Sequence, residues 1–256
     1  MRRAVPDAAV LPVAAEGIVD PAGIKGDRPL VAVQSVNSET GVVQPLDEVA
    51  AAVRACGGLL LADCAQSAGK LPLPDADFIA VAGHKLGGPP GIGALLVRDL
   101  ATLEASGGQE QGYRAGTENL PAVLGFAAAL EGRRPWLERA GELRLHLEAK
   151  LEAAGGITIA RNAPRLPTIG SYRMPGVAAT AQLIQFDLAG IAVSAGSACS
   201  SGSMKPSHVL AAMGWDEAAA REVIRVSFGP DTSRADIWRF AEVWTRLASD
   251  AKRRAA

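Results

Sequence analysis

Two short apolar runs, Leu59-Leu60-Leu61-Ala62 and Phe78-Ile79-Ala80-Val81-Ala82, each give way abruptly to polar chemistry. The first ends in Asp63-Cys64-Ala65-Gln66 and the second in Gly83-His84-Lys85. Short apolar runs bounded by polar and turn-forming residues are strands buried on both faces, and a sheet of such strands needs helices on either side. In α/β sheets of this kind the strand ends deliver side chains to the crevice at the carboxyl edge, where ligands bind. The two runs therefore predict a pocket that collects an acid, an amide, an imidazole and an amine.

The remaining pattern extends this sheet and adds a second layer. Strands are expected at Leu30 to Val36 and Ala94 to Val97 beside Leu59 to Asp63 and Phe78 to Ala82, with a helix from Leu46 to Cys56. Beyond Gly116 the pattern turns helical, from Leu120 to Leu130 and from Trp136 to Ala154, where Gly155-Gly156 supplies the stop. Strands then read at Ile157 to Ala160, Thr168 to Arg173, Ile191 to Ser194 and Val223 to Phe228, with helices from Ala178 to Leu188 and Ala235 to Ala248. Such alternation predicts a smaller α/β layer after the first. The expected division is a larger first domain of residues 1–134 and a small C-terminal domain of residues 135–256, with no internal repeats.

Composition excludes several classes. A chain of 256 residues with 48% hydrophobic content and a net charge of −1 has enough apolar material for one large core or two smaller ones. Near-neutral charge without a long basic run gives no electrostatic reason for nucleic acid or an anionic membrane as partner. No run approaches the roughly 20 apolar residues of a membrane span, and no signal core follows Arg2-Arg3, so the expected location is cytoplasmic. Three cysteines, Cys56, Cys64 and Cys199, fit neither a disulfide framework nor a paired metal motif. Cys56 and Cys64 read as small buried hydrophobes.

Lys85 taken alone is more often a solvated charge, but Gly87-Gly88-Pro89-Pro90-Gly91 after it is a turn that permits close backbone approach. A lysine in that setting is able to form a Schiff base with pyridoxal phosphate, and an aspartate to keep a pyridine nitrogen protonated so that the ring withdraws electrons. Asp63 is otherwise a cap for the next element and Gln66 an exposed amide. Cys199 sits among small polar residues from Ser194 to Ser203, which read as a linker or as a flexible carrier for a thiol. Arg225 lies inside the apolar strand Val223-Ile224-Arg225-Val226 and requires an anion, either a structural carboxylate or a bound one. His146 reads as solvated on a charged helix face, and His208 as a local cap at a helix start.

These segments occur in one order. Asn37-Ser38-Glu39-Thr40-Gly41, Asp63-Cys64-Ala65-Gln66, Gly83-His84-Lys85, Gly88-Pro89-Pro90-Gly91, Arg114-Ala115-Gly116-Thr117, Gly196-Ser197-Ala198-Cys199-Ser200 and Ile224-Arg225-Val226-Ser227 span nearly the whole chain. In this the chain resembles the cysteine desulfurases, fold-type I pyridoxal-phosphate enzymes of the class V aminotransferase family. The resemblance implies an α/β large-domain sheet, incomplete here, plus a smaller C-terminal α/β domain. It implies that Lys85 carries the pyridoxal 5'-phosphate, that Asp63 pairs with the pyridinium nitrogen, that Gln66 contacts the ring oxygen, and that His84 and Ser38 help hold the cofactor. Thr117 would reach the phosphate in the neighbouring subunit of a homodimer, Arg225 would bind the carboxylate of L-cysteine, and Cys199 would take up sulfur as a persulfide.

The implied sulfur acceptor is a protein such as an iron-sulfur scaffold, or the machinery that thiolates tRNA. Two rivals remain: a related selenocysteine or amino-acid lyase, and a truncated assembly subunit without catalysis. The chain departs from the family in having Ser38 where a second asparagine is usual and Ala82 where a serine is usual. Before Val33 it offers neither the family's phosphate-binding Gly-Thr pair nor its ring-stacking histidine, so a missing N-terminal segment is expected.

Overall fold

The computed structural model describes residues 5–132, 134–196 and 207–255. They form two compact units, one of Ile24–Val36 and Gln44–Arg134, the other of Met1–Gly23, Asn37–Val43 and Pro135–Ala256.

The first unit is built on a four-stranded sheet of β1 (Leu30–Gln34), β2 (Leu59–Asp63), β3 (Phe78–Ala82) and β4 (Gly93–Val97), hydrogen-bonded in that order. β1, β2 and β3 are parallel and β4 is antiparallel to β3. Asp63 pairs with Gln34 on one side and Ala80 on the other, so the polar tails of β2 and β3 leave the sheet at its carboxyl edge. Helix α1 (Leu46–Ala55) crosses between β1 and β2, burying Leu46, Val49, Ala50 and Val53 at the i, i+3, i+4, i+7 spacing of a single helical stripe. Asp47 and Glu48 in its first turn and Arg54 in its last complement the helix dipole. Helix α2 (Leu120–Glu131) starts at Asn119, whose Oδ1 accepts from the Ala122 N–H at 3.2 Å. Burial on both faces holds for β3 but not for β4, where Leu95 and Leu96 are 50% and 43% exposed because β4 is the last strand in the order.

The second unit has an antiparallel sheet in the order β5 (Ile157–Thr158), β6 (Ile169–Arg173), β8 (Val223–Ser227), β7 (Ser194–Ala195). Helices α3 (Trp136–Ala153), α4 (Ala179–Leu188) and α7 (Arg234–Ala255) supply most of the apolar stripe against it, and the short α5 (His208–Ala212) and α6 (Glu217–Ala220) lead into β8. Leu143, Leu147 and Leu151 of α3 bury one stripe while Leu145 stays exposed. The core centres on Tyr172, Trp244 and the stacked pair Phe186 and Phe240, whose ring centroids lie 4.4 Å apart. Full burial of each such ring contributes about 2 to 3 kcal/mol. Glu148, 1% exposed, accepts hydrogen bonds from two of the Arg165 guanidinium nitrogens at 2.8 and 3.0 Å, and Arg165 forms an antiparallel bridge with Val42. This buried fork pins the chain beside the Asn37–Val43 turn.

Several expected boundaries move, and β1 ends at Gln34 rather than Val36. β5 stops at Thr158, since Ala160 turns into the left-handed region at φ 51°. The strand expected at Ile191 to Ser194 is instead Ser194–Ala195, because the Ile191 N–H still closes the end of α4 on the Phe186 carbonyl and pairing with β8 begins only at Ser194. The last helix runs to Ala255, capped at its start by Ser233 and Asp236 and closed by Lys252, Arg253 and Arg254. Among the described residues no helix is long and apolar enough to cross a membrane, and no group of three His, Cys, Asp or Glu side chains is placed to hold a metal ion.

Candidate active site

In the first unit, Asp63 closes β2 with an exposed carboxylate whose Oδ1 accepts from the Ala65 N–H at 3.0 Å. That bond is the capping role open to any aspartate here, and it fixes the side chain at the strand end. Cys64 is fully buried and its N–H donates to the Ala80 carbonyl at 2.8 Å, locking the end of β2 against β3. Burial pushes the Cys64 thiol up, and Asp63 adds to the effect against hydrogen bonds from Ser67 and Ser35. Cys56 departs from expectation in being only half-buried.

His84 and Lys85 occupy the 3-10 turn Gly83–Lys85 directly after β3, and both are exposed. The Gly83 carbonyl accepts from Leu86 and Gly88, which folds the turn back on itself. Gly83 has to be glycine: a Cβ there would stand 2.8 Å from Ile92 Cγ2 and 3.1 Å from Phe126 of α2. Asp63 and Lys85 thus follow neighbouring parallel strands at the same edge. Gln66 is half-buried in the turn after β2, and its carbonyl accepts from Lys70 Nζ at 2.9 Å. Thr117 is exposed in the coil before α2.

Lys70 was not singled out by the sequence, although a lysine following Gly69 in a turn beside Gln66 is the signal that marks it. Burial, then the nearby Arg134 and Lys85, lower its ammonium from the usual 10.5 to about 8. Because the folded chain releases this proton earlier than the unfolded one, stability rises with pH across the window from about 8 to 10.5. A Lys70→Met variant is expected to lose that rise, measured as the change in melting temperature between pH 7.5 and pH 10.

In the second unit, Arg225 of β8 donates from one guanidinium nitrogen to the Ser38 carbonyl at 2.9 Å and from another to Ser194 Oγ at 3.2 Å. Ser38 therefore contributes its main chain to Arg225. The turn that presents it is organised by Asn37, whose Oδ1 accepts from the Glu39 N–H and the Thr40 N–H, both at 2.9 Å. Gly41 completes the turn at φ 77°, and a Cβ on it would come within 2.9 Å of the Ile169 carbonyl. Glu39 and Ser207, which sequence reading did not single out, meet in a buried hydrogen bond. At the start of α5 the cap is Ser207 rather than His208, its Oγ accepting from the Leu210 N–H. His146 is exposed as expected, with its ring 5.9 Å from that of Trp238. Cys199 lies outside the described residues.

The aminotransferase class-V family model matches residues 4–240. Among curated proteins, the chain is 38% identical over 231 residues to a cysteine desulfurase of Gluconacetobacter diazotrophicus, covering 84% of this chain and 58% of that one. It is 35% identical over 246 residues to the cysteine desulfurase IscS of an Anaeromyxobacter species, covering 89% and 60%. The chain thus spans about 58 to 60% of the length of these relatives. Among solved structures, a NifS-like protein from Rickettsia africae superposes with a TM-score of 0.84 at 29% identity, over 97% of this chain and 72% of that one. The parallel β1-β2-β3 edge that carries Asp63 and Lys85 and the antiparallel layer that carries Arg225 are accordingly parts of the fold-type I architecture, and the chain belongs to the class-V aminotransferase family.

Proposed function

We propose that the chain acts as a cysteine desulfurase with pyridoxal 5'-phosphate, converting L-cysteine to L-alanine and receiving the sulfur on Cys199, as a cytoplasmic homodimer. The observation that carries this reading is the delivery of Asp63 and Lys85 from the carboxyl ends of adjacent parallel strands. The donor set fits the cofactor: an exposed primary amine, an exposed carboxylate with one oxygen held by Ala65, and an amide side chain three residues further on. Pyridoxal phosphate, when bound, draws electrons from the substrate carbon next to the amino group.

In this reading Lys85 holds the cofactor and moves the substrate proton, and Asp63 keeps the ring nitrogen protonated. Gln66 and His84 orient the ring, and Ser38 adds to the cofactor's surroundings. Thr117 serves the phosphate of the neighbouring subunit. Arg225, a planar fork already oriented by the Ser38 carbonyl and Ser194, takes the substrate carboxylate. The Cys199 thiolate forms a sulfur-sulfur bond to the substrate as its carbon-sulfur bond breaks. A proton on that carbon completes alanine, and the persulfide passes to an acceptor protein such as an iron-sulfur scaffold.

The test is to supply the purified chain with pyridoxal phosphate and L-cysteine without reductant. The expected result is one alanine per chain in a first turnover and a Cys199 peptide heavier by one sulfur atom. Alanine with an unmodified Cys199 peptide would contradict the persulfide route.

A further inference from the structure

The last carbonyls of a helix have no partner within it, and a cation beside them is a common remedy. Arg134 does this for α2. Half-buried, it donates from Nη1 to the Gly132 carbonyl at 2.7 Å and from Nη2 to the Ala129 carbonyl at 2.5 Å. Capping does not account for its other two contacts. Nη2 also donates to the Leu86 carbonyl at 3.3 Å, 48 positions back along the chain. The guanidinium lies so close to Gly69 that a Cβ there would stand 2.9 Å from Nη1 and 3.0 Å from Cζ, as well as 2.7 Å from Leu86 Cδ2. Gly69, at φ 69°, leaves that room.

Both contacts fall on turns that carry site residues. Leu86 follows Lys85: its N–H closes the turn on the Gly83 carbonyl, and its own carbonyl accepts from Arg134. Gly69 belongs to the turn after β2, three residues beyond Gln66, and the next residue, Lys70, holds the Gln66 carbonyl. The turns that leave β2 and β3 therefore meet on a single guanidinium. Lys70 registers how close these cations are, since after burial it is Arg134 and then Lys85 that lower its ammonium. Among the described residues the hydrogen bonds of Arg134 all go to main-chain carbonyls, so its fork is used to fix backbone.

We infer that Arg134 is a positioning residue: by bonding the Leu86 carbonyl while lying against Gly69, it fastens the turn that presents Lys85 to the turn that follows Asp63. This rests on the role proposed above for Lys85. Two readouts on the full chain test it. One is amide exchange at Leu86 and Gly88, followed residue by residue without cofactor. The other is the pyridoxal phosphate concentration that gives half of the maximal borohydride-trapped adduct on Lys85.

Arg134→Met is expected to speed exchange at Leu86 and Gly88 about tenfold and to raise the half-saturating concentration about tenfold, the scale of one lost hydrogen bond from a charged donor. The Cys64 amide, bonded to Ala80 inside the sheet, is expected to keep the parent rate. Arg134→Lys keeps the charge at the helix end, but one ammonium nitrogen cannot fill both guanidinium positions, so it is expected to stay within about threefold of Arg134→Met. A purely capping role predicts parent exchange at Leu86 and Gly88 in both variants, or full recovery in Arg134→Lys, and either result would overturn the inference. Faster exchange with an unchanged half-saturating concentration would overturn it too. A parent chain that forms no adduct on Lys85 would refute the proposed function instead, and the exchange rates would then decide the fastening of the two turns by themselves.

Discussion

Replacing Lys85 with alanine is expected to stop alanine production from L-cysteine, with a loss of at least about a thousandfold, the scale on which a positioned proton-transfer group acts. Here the lost amine is also the proposed cofactor anchor. The turn that presents Lys85 is held by backbone bonds from Leu86 and Gly88 to the Gly83 carbonyl and by the close packing of Gly83 on Ile92 and Phe126. None of these involves the Lys85 side chain, and that side chain is exposed. The variant should therefore melt within a degree or two of the parent, and the loss is chemical rather than structural. Lys85→Arg sharpens the point. It keeps the positive charge but offers no primary amine, so it should be as inactive as Lys85→Ala. Turnover in either variant above a few per cent of the parent, measured as alanine formed, would place the amine elsewhere.

Cys199→Ala is expected to lower sulfide release under reducing conditions by at least about a hundredfold, with pyridoxal phosphate still bound. Neither remaining thiol is suited to substitute. Cys64 is fully buried, its thiol is pushed up by burial and by Asp63, and only a thiolate attacks sulfur effectively. Cys56 is half-buried just before Leu59, at the opposite end of β2 from Asp63. A selenocysteine lyase or an amino-acid lyase would keep its dependence on Lys85 and tolerate the loss of Cys199. The pair of variants therefore separates a shared fold from a shared reaction. Parent-level sulfide release in Cys199→Ala would assign the chain to the lyases.

What the sequence made legible follows from how far apart the deciding residues lie. β2 and β3 end where Asp63 and Gly83 interrupt apolar runs, a local signal, and both strands were read to the residue. Asp63, Gln66, His84 and Lys85 fall on those ends, so their shared sheet edge was legible as well. β7 was misplaced because a two-residue strand is defined by its partner, the Ser194 to Arg225 register, and nothing in Ile191-Ala192-Val193 announces it. Burial of β4 was over-read because an apolar strand looks the same whether it is central or last in the order. Glu39 and Ser207 were missed for a related reason. They are 168 positions apart, and neither a glutamate in a turn nor a serine before a helix predicts the other. Ser38, expected to face the cofactor, gives its carbonyl to Arg225, a main-chain role that side-chain identity does not reveal.

The central claim is that one amine, that of Lys85, is the group that takes pyridoxal phosphate. Borohydride reduction of the cofactor-treated chain, followed by peptide mass spectrometry, tests it directly. The nearby Lys70 is an internal control, since its ammonium is lowered to about 8 and it is the most readily deprotonated competitor in the same unit. The account predicts a single pyridoxyl adduct on the peptide containing Lys85. An adduct on Lys70, or label spread over surface lysines with Lys85 unmodified, would contradict it.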